Sequence, residues 1–195
     1  MTSFSNPIVV DEKRKARALM RKLRLIVDQK EGPDAALQIM KRFVEAADAI
    51  GARAGTIVAG YWPIFTEIDD RPLLTKAASL GARCALPVIA EGGERILSFR
   101  LWRPGDAVVE GERGTFHPPD DAPAVEPDIV IVPVLAMDRE GHRLGQGGGY
   151  YDQTLARLRA RRTVIAVGLG YHIQLTARVP REESDARLDW LLTEN

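Results

Sequence analysis

One cysteine, three histidines and no excess of either charge are the chain's clearest shortages. A single thiol, Cys84, cannot make an intrachain disulfide, and the apolar run around it marks it as a small core residue. No second His or Cys stands at ligand spacing from His117 or His142, so both read as surface residues and not as metal ligands. No Ser-His or Cys-His arrangement suggests a protein nucleophile. Lys plus Arg (27) equals Asp plus Glu (27), which argues against a general nucleic-acid or membrane-surface binder. The chain has no secretory signal and no apolar run long enough to span a bilayer, so a cytoplasmic protein is expected. Internal repeats, low-complexity blocks and linkers are also missing. The 195 residues, 45% of them hydrophobic, suffice for one domain with a substantial core. The expected organisation is a loose arm over residues 1–10 and a single domain over 11–195, with a monomer favoured.

What is present alternates between helical and strand-like periods. Residues 11–29 read as a helix whose apolar face is Ala16, Leu19, Met20, Leu23, Ile26 and Val27. Among its basic residues, Lys13, Arg17, Arg21 and Arg24 fall on one stripe flanking that face, whereas Arg14, Lys15 and Lys22 lie nearly opposite. A solvated surface or an RNA-touching helix is the plainer reading of such a run. Gly32-Pro33-Asp34 predicts a break, then a second helix ending at Gly51. Strands are expected at 55–62 and 83–89, with a helix from Asp69 or Asp70 to Leu80 between them. A turn at 91–94 and a return over 96–102 make a hairpin. Residues 103–127 read as a surface excursion with a short strand at 107–109, and 163–169 as another strand. The fold class is therefore α/β, Rossmann-like: a mainly parallel sheet with helices on both faces and an added antiparallel hairpin.

The most informative stretch runs from Gly141 to Asp152. It follows the β-branched run 128–135 and precedes a helix-forming run that begins near Tyr150. Four of the five residues Gly145, Gln146, Gly147, Gly148 and Gly149 are glycine. Without Cβ atoms their N–H groups can line a concavity, and a helix beginning at Tyr150 would add free donors and the positive end of its dipole. Arg143 brings a fork of donors, and Asp152 a carboxylate that a phosphate-bound Mg²⁺ could use. The residues alone leave a tight turn and a phosphate loop as equal readings. The pattern is neither a Walker A motif nor the dinucleotide fingerprint.

Arg143-Leu144-Gly145-x-Gly147-x-Gly149-Tyr150-Tyr151-Asp152-x-x-Leu155, with Pro133 and Asp138-x-x-Gly141 before it, closely resembles the hallmark of the 5-formyltetrahydrofolate cyclo-ligase family, also called 5,10-methenyltetrahydrofolate synthetase. The resemblance runs from about Lys13 to the end of the chain. It implies ATP- and Mg²⁺-dependent cyclisation of 5-formyltetrahydrofolate to 5,10-methenyltetrahydrofolate, with ADP and phosphate released. By the same resemblance Lys13, Arg17, Arg143 and residues 145–151 face ATP. Trp62, Glu67, Gln146, Tyr150 and Tyr151 face the folate, Asp152 and Asp185 hold Mg²⁺, and Arg143, Tyr150, Tyr151 and Asp152 sit at the reacting junction. Asp189 is assigned to the start of a terminal strand. The chain departs from the pattern at Gly148, where many members carry Lys, and at Gln153, where Arg is common. The alternatives are a paralogous ATP-dependent enzyme acting on another formylated or folate-like metabolite, and an RNA-binding protein using the basic helix.

Overall fold

The structure, a computed structural model, describes residues 6–89 and 94–195. It opens with one helix, α1 (Pro7–Ile50), where a loose arm, a helix, a break and a second helix are expected. Pro7 to Val10 are helical, and Asn6 caps them by accepting from the Ile8 N–H at 3.0 Å. Pro33 does not break the helix. It forfeits one backbone bond, but Ala35, Ala36, Ile39 and Phe43 beyond it are buried against the sheet, and that burial carries the helix through. Gly32 is needed on the inner side, where the Tyr171 hydroxyl approaches to donate to Asp28 at 2.9 Å.

The strands follow as β1 (Ile57–Ala59), β2 (Arg83–Ile89), β3 (Leu97–Leu101), β4 (Val109–Glu110), β5 (Phe116–His117), β6 (Ala124–Val125), β7 (Ile129–Pro133), β8 (Ala136–Asp138), β9 (Arg143–Leu144), β10 (Ile165–Leu169), β11 (Leu175–Thr176) and β12 (Trp190–Leu192). Helix α2 (Arg71–Ser79) joins β1 to β2, and α3 (Tyr150–Arg159) precedes β10. The main sheet has the order β12-β10-β7-β1-β2-β3-β6, and its first five strands are parallel. β3 returns antiparallel to β2, as expected of the hairpin, whose expected turn at 91–94 lies, but for Glu94, outside the described residues.

Alternation along β7 shows how the sheet is buried on both faces. Ile129 and Ile131 join the core under α1 and α2; Val130 and Val132 join the core under α3 with Leu155 and Leu158. β1 continues to β2 on one side, whereas the later strands β7 and β10 are added on the other. The order therefore reverses between β1 and β7, and a crevice opens past their carboxyl ends.

Between β7 and α3 the chain adds a hairpin, β8 and β9, that the reading of strand, loop and helix omits. Its turn needs Gly141, at φ +85°, where a Cβ would come within 2.5 Å of the Leu188 carbonyl oxygen. Gly51 also has φ +85° but open space around it. Gly51→Ala should therefore cost about 1–2 kcal/mol from the left-handed backbone alone. Gly141→Ala should cost clearly more, because the Leu188 segment must also move. Urea denaturation of the two variants checks the difference.

Candidate functional site

One cavity of about 650 Å³ opens at this crevice, and all fourteen candidate site residues line it. Trp62 and Glu67 reach it from the loop after β1; Pro133 and Val134 form its floor at the end of β7. The loop 145–149 and the first turn of α3 form one wall, α1 another, and Glu182 to Asp185 close the side.

Three cations of α1, Lys13, Arg17 and Arg24, turn inward, and the exposed Arg21 follows the same stripe. Lys13 is 7% exposed, and its ammonium donates to Asp185 at 2.6 Å and Glu182 at 2.9 Å. Burial pulls its pKa down, but these bonds outweigh that and hold it above the ordinary lysine value. Arg17 Nε donates to the Gly145 carbonyl at 2.9 Å. Arg21 donates through Nε and Nη2 to Gln146 Oε1, and Arg24 is buried. This corrects part of the assigned apolar face: Leu19 and Ile26 are half exposed, at 55% and 50%, while Met20 points in as assigned and Lys13 and Arg24 join it. Carboxylates and loop carbonyls line the crevice, so the stripe that can pair with them is the one that faces it.

The glycines are required by local geometry. Gly147 has φ +105° and lies over the Arg17 guanidinium, and Gly149 has φ +74° as the N-cap of α3. A Cβ on Gly145 would stand 3.1 Å from Arg143 Nη1, and one on Gly148 would stand 2.9 Å from the Tyr150 ring. Arg143 itself sits beneath the loop, only 6% exposed. Its Nη2 donates to Asp152 Oδ1 at 2.6 Å, its guanidinium lies 5.9 Å from the Tyr151 ring centre, and its buried Nε has no hydrogen-bond partner among the described residues.

Asp152 and Asp185 each commit one oxygen. Asp152 Oδ1 takes Arg143 and the Ala186 N–H; Asp185 Oδ2 takes Lys13 and the Glu182 N–H. Asp152 Oδ2 and Asp185 Oδ1 accept no hydrogen bond among the described residues. Two carboxylates with one open oxygen each suit Mg²⁺, which keeps waters and phosphate oxygens as its remaining ligands. Asp189 stands outside the cavity and accepts from Arg159 and the Ala166 N–H, just ahead of β12.

Glu67 is largely shielded. Burial raises its pKa, against the Ile64 N–H at 3.2 Å, the Arg24 charge and the Gln146 side chain. Trp62 stands edge-on to Trp102 at 6.3 Å and packs against Phe116 at 5.7 Å. Phe116, on β5, is a wall residue to which the sequence reading gives no role; nothing local marks it, because it arrives from the irregular 103–127 segment. Arg95 and Phe65 also line the cavity unforeseen. Phe65 is 91% exposed at φ +54°, the one non-glycine residue with positive φ among those described.

His142 is buried, against expectation. Its ring Nδ1 lies 3.2 Å from Asp138 Oδ1 and its Nε2 meets Arg181, because Asp138 gathers the hairpin turn and the Val179 N–H around one carboxylate. Gln174 is equally structural: its amide donates to the Val134 and Leu135 carbonyls and holds the end of β7. Cys84 lies in the core, as read, and its thiol points at the Leu74 carbonyl. Burial, with the Asp70 charge, pushes that thiol up to about 11. A thiol-alkylating reagent at pH 8 should therefore leave the native protein unmodified and label one site only after denaturation; mass spectrometry reads this directly.

No helix among the described residues is long and apolar enough to cross a membrane. The family model described as the 5-formyltetrahydrofolate cyclo-ligase family matches residues 9–194. The chain is 37% identical over 147 residues to the 5-formyltetrahydrofolate cyclo-ligase of Mycolicibacterium smegmatis, covering 72% of this chain and 74% of that one. It is 30% identical over 165 residues to the enzyme of the same name from Escherichia coli strain K12, covering 76% and 90%. An NMR structure of Aquifex aeolicus 5,10-methenyltetrahydrofolate synthetase superposes with a TM-score of 0.75 at 28% identity, covering 93% of this chain and 89% of that one. The Mycoplasma pneumoniae 5,10-methenyltetrahydrofolate synthetase shares the fold, with a TM-score of 0.71 at 19% identity over 94% and 99% of the two chains.

Proposed function

The chain belongs to the 5-formyltetrahydrofolate cyclo-ligase family, and we propose that it closes 5-formyltetrahydrofolate to 5,10-methenyltetrahydrofolate at the expense of ATP, releasing ADP and phosphate. One observation carries this reading. A single cavity at the switch point holds a glycine cradle ringed by cations on one wall and a shielded carboxylate beside an indole on the other.

The chemistry asks little covalent work of the protein. An amide-like formyl oxygen is a poor leaving group. Transfer of the γ-phosphoryl group to it gives an iminium phosphate, and the N10 lone pair of the same folate then attacks the activated carbon. The C–O bond breaks, phosphate leaves with the oxygen, and N10 loses its proton. Both nucleophiles belong to the substrate, so the site must position and neutralise charge. This agrees with a buried, unreactive Cys84.

In this reading Arg17, Lys13 and the N–H groups of residues 145–149 hold the phosphates. Arg143 fixes Asp152 from below the loop. Asp152 and Asp185 would hold Mg²⁺, which would supply neutralisation of the phosphate charge. Glu67 accepts from the pterin's amino and ring N–H groups, Trp62 walls the ring, and Tyr150 and Tyr151 line the junction. Burial raises the Tyr151 pKa well above the ordinary tyrosine value, so it acts as a neutral donor.

Purified protein incubated with Mg-ATP and 5-formyltetrahydrofolate should show methenyl absorbance rising in step with ADP. ADP release without methenyl product, on some other formylated compound, would turn the assignment to a paralogue. Arg17→Ala should raise the apparent KM for ATP, whereas Lys22→Ala, exposed on the far side of α1, should not. Asp185→Asn should raise the Mg²⁺ concentration needed for half-maximal rate, and Asp189→Asn should leave it unmoved. Asp152→Asn should do the same as Asp185→Asn, with an added loss of melting temperature because the buried Arg143 loses its partner. An unshifted Mg²⁺ curve in both cavity variants would remove the metal assignment.

A further inference from the structure

Arg24 stands behind the wall of the cavity, against Thr66 and Val134, and has no role in the chemistry above. It is 3% exposed, on the fifth turn of α1, yet its hydrogen-bond acceptors are neutral: the Thr66 hydroxyl at 2.9 Å from Nε and the Val134 carbonyl at 3.4 Å from Nη1. Burying a guanidinium against neutral oxygens alone is costly. Among the carboxylates whose charge offsets that cost, Glu67 comes first and Asp28 after it. Seen from the other side, Glu67 has the Ile64 N–H and the Gln146 side chain as neutral donors, and Arg24 as the cation that favours its charge. Gln146 is itself oriented, since Arg21 occupies its carbonyl oxygen and leaves its amide to donate.

We infer that Arg24 is a positioning residue for the folate end of the cavity: it clamps the 62–67 loop to the end of β7 and supplies the buried counter-charge to Glu67. The inference rests on Glu67 being the folate anchor. A carboxylate that accepts two ring N–H groups must be ionised when substrate arrives. The other titratable groups facing it do not help: Tyr61 from the end of β1, Asp70 from the head of α2 and Tyr151 from α3. Each would repel the Glu67 charge when ionised, and burial keeps each toward its neutral form. Beside the neutral Ile64 and Gln146 donors, Arg24 is thus the cation that opposes desolvation at this carboxylate.

The sign of the pH effect follows. Burial already raises Glu67, and loss of the Arg24 charge raises it further, so substrate binding should fail at a higher pH as the solution is acidified. The measurement is the affinity for 5-formyltetrahydrofolate without ATP, by calorimetry, across the pH range. Arg24→Gln should move the acid limb of the affinity profile upward by about one pH unit or more. Arg24→Lys, which keeps the charge but not the fork, should weaken binding with the limb in place. Glu67→Gln should weaken binding about tenfold or more and abolish the limb. Arg24→Gln added to Glu67→Gln should cause no further pH shift. Wild-type affinity in Glu67→Gln would overturn the anchor reading itself. A weakened Glu67→Gln together with an unmoved limb in Arg24→Gln would overturn the role given to Arg24 and leave the anchor intact. If Arg24→Gln does not fold, Arg24→Met, which keeps an apolar stem and removes the charge, decides: a limb moved upward supports the charge role, and one at the wild-type position refutes it.

Discussion

The cavity depends on one stripe of cations on α1 that lies across the carboxyl ends of the strands. Lys13 grips Asp185 and Glu182, Arg17 the Gly145 carbonyl, Arg21 the Gln146 side chain, and Arg24 Thr66 and Val134. These four side chains span about three turns of one helix and reach the carboxyl-terminal segment, the glycine loop, the loop after β1 and the end of β7. Behind them, Ala35 to Ile50 pack on the sheet and fix where the helix lies. A helix broken at Pro33 would separate these two functions. Continuity makes the polar half a rigid extension of the buried half.

The cations of the cradle are not free charges awaiting an anion. Lys13 is paired with Asp185, and Arg143 with Asp152. Pairing is what allows side chains so deeply buried to remain charged. It also means that an anion alone gains less than the count of cations suggests, because the carboxylates repel it. In the proposed reading, a divalent cation that came with the anion would offset that repulsion.

Much of the architecture was legible in the chain. The runs at 83–89, 128–135 and 163–169 are apolar and β-branched because their strands are buried on both faces, and burial on both faces is a property of a central parallel strand whatever its neighbours. The start of α3 at Tyr150 was legible for a local reason too: glycines end where helix formers begin. Pro33 misled because the cost of one lost bond is local, whereas the burial that outweighs it lies in side chains many residues further on. His142 misled in the same way, since Asp138 and Arg181 are brought to it by a hairpin and by the carboxyl-terminal segment.

By itself, then, the sequence determined the alternation of elements, the glycine loop with its helix, and the resemblance that names the family, all of which rest on near neighbours or on one contiguous motif. Tertiary structure alone decided which face of α1 turns inward, that Arg143 is buried against the loop, and that Phe116 and Arg95 belong to the cavity at all. The physical reason is that helical periodicity gives only relative angles along one element. The absolute rotation is set by partners such as Asp185, Thr66 and Val134, which stand 40 or more residues from α1's cations in sequence and meet them only when the sheet reverses its order between β1 and β7.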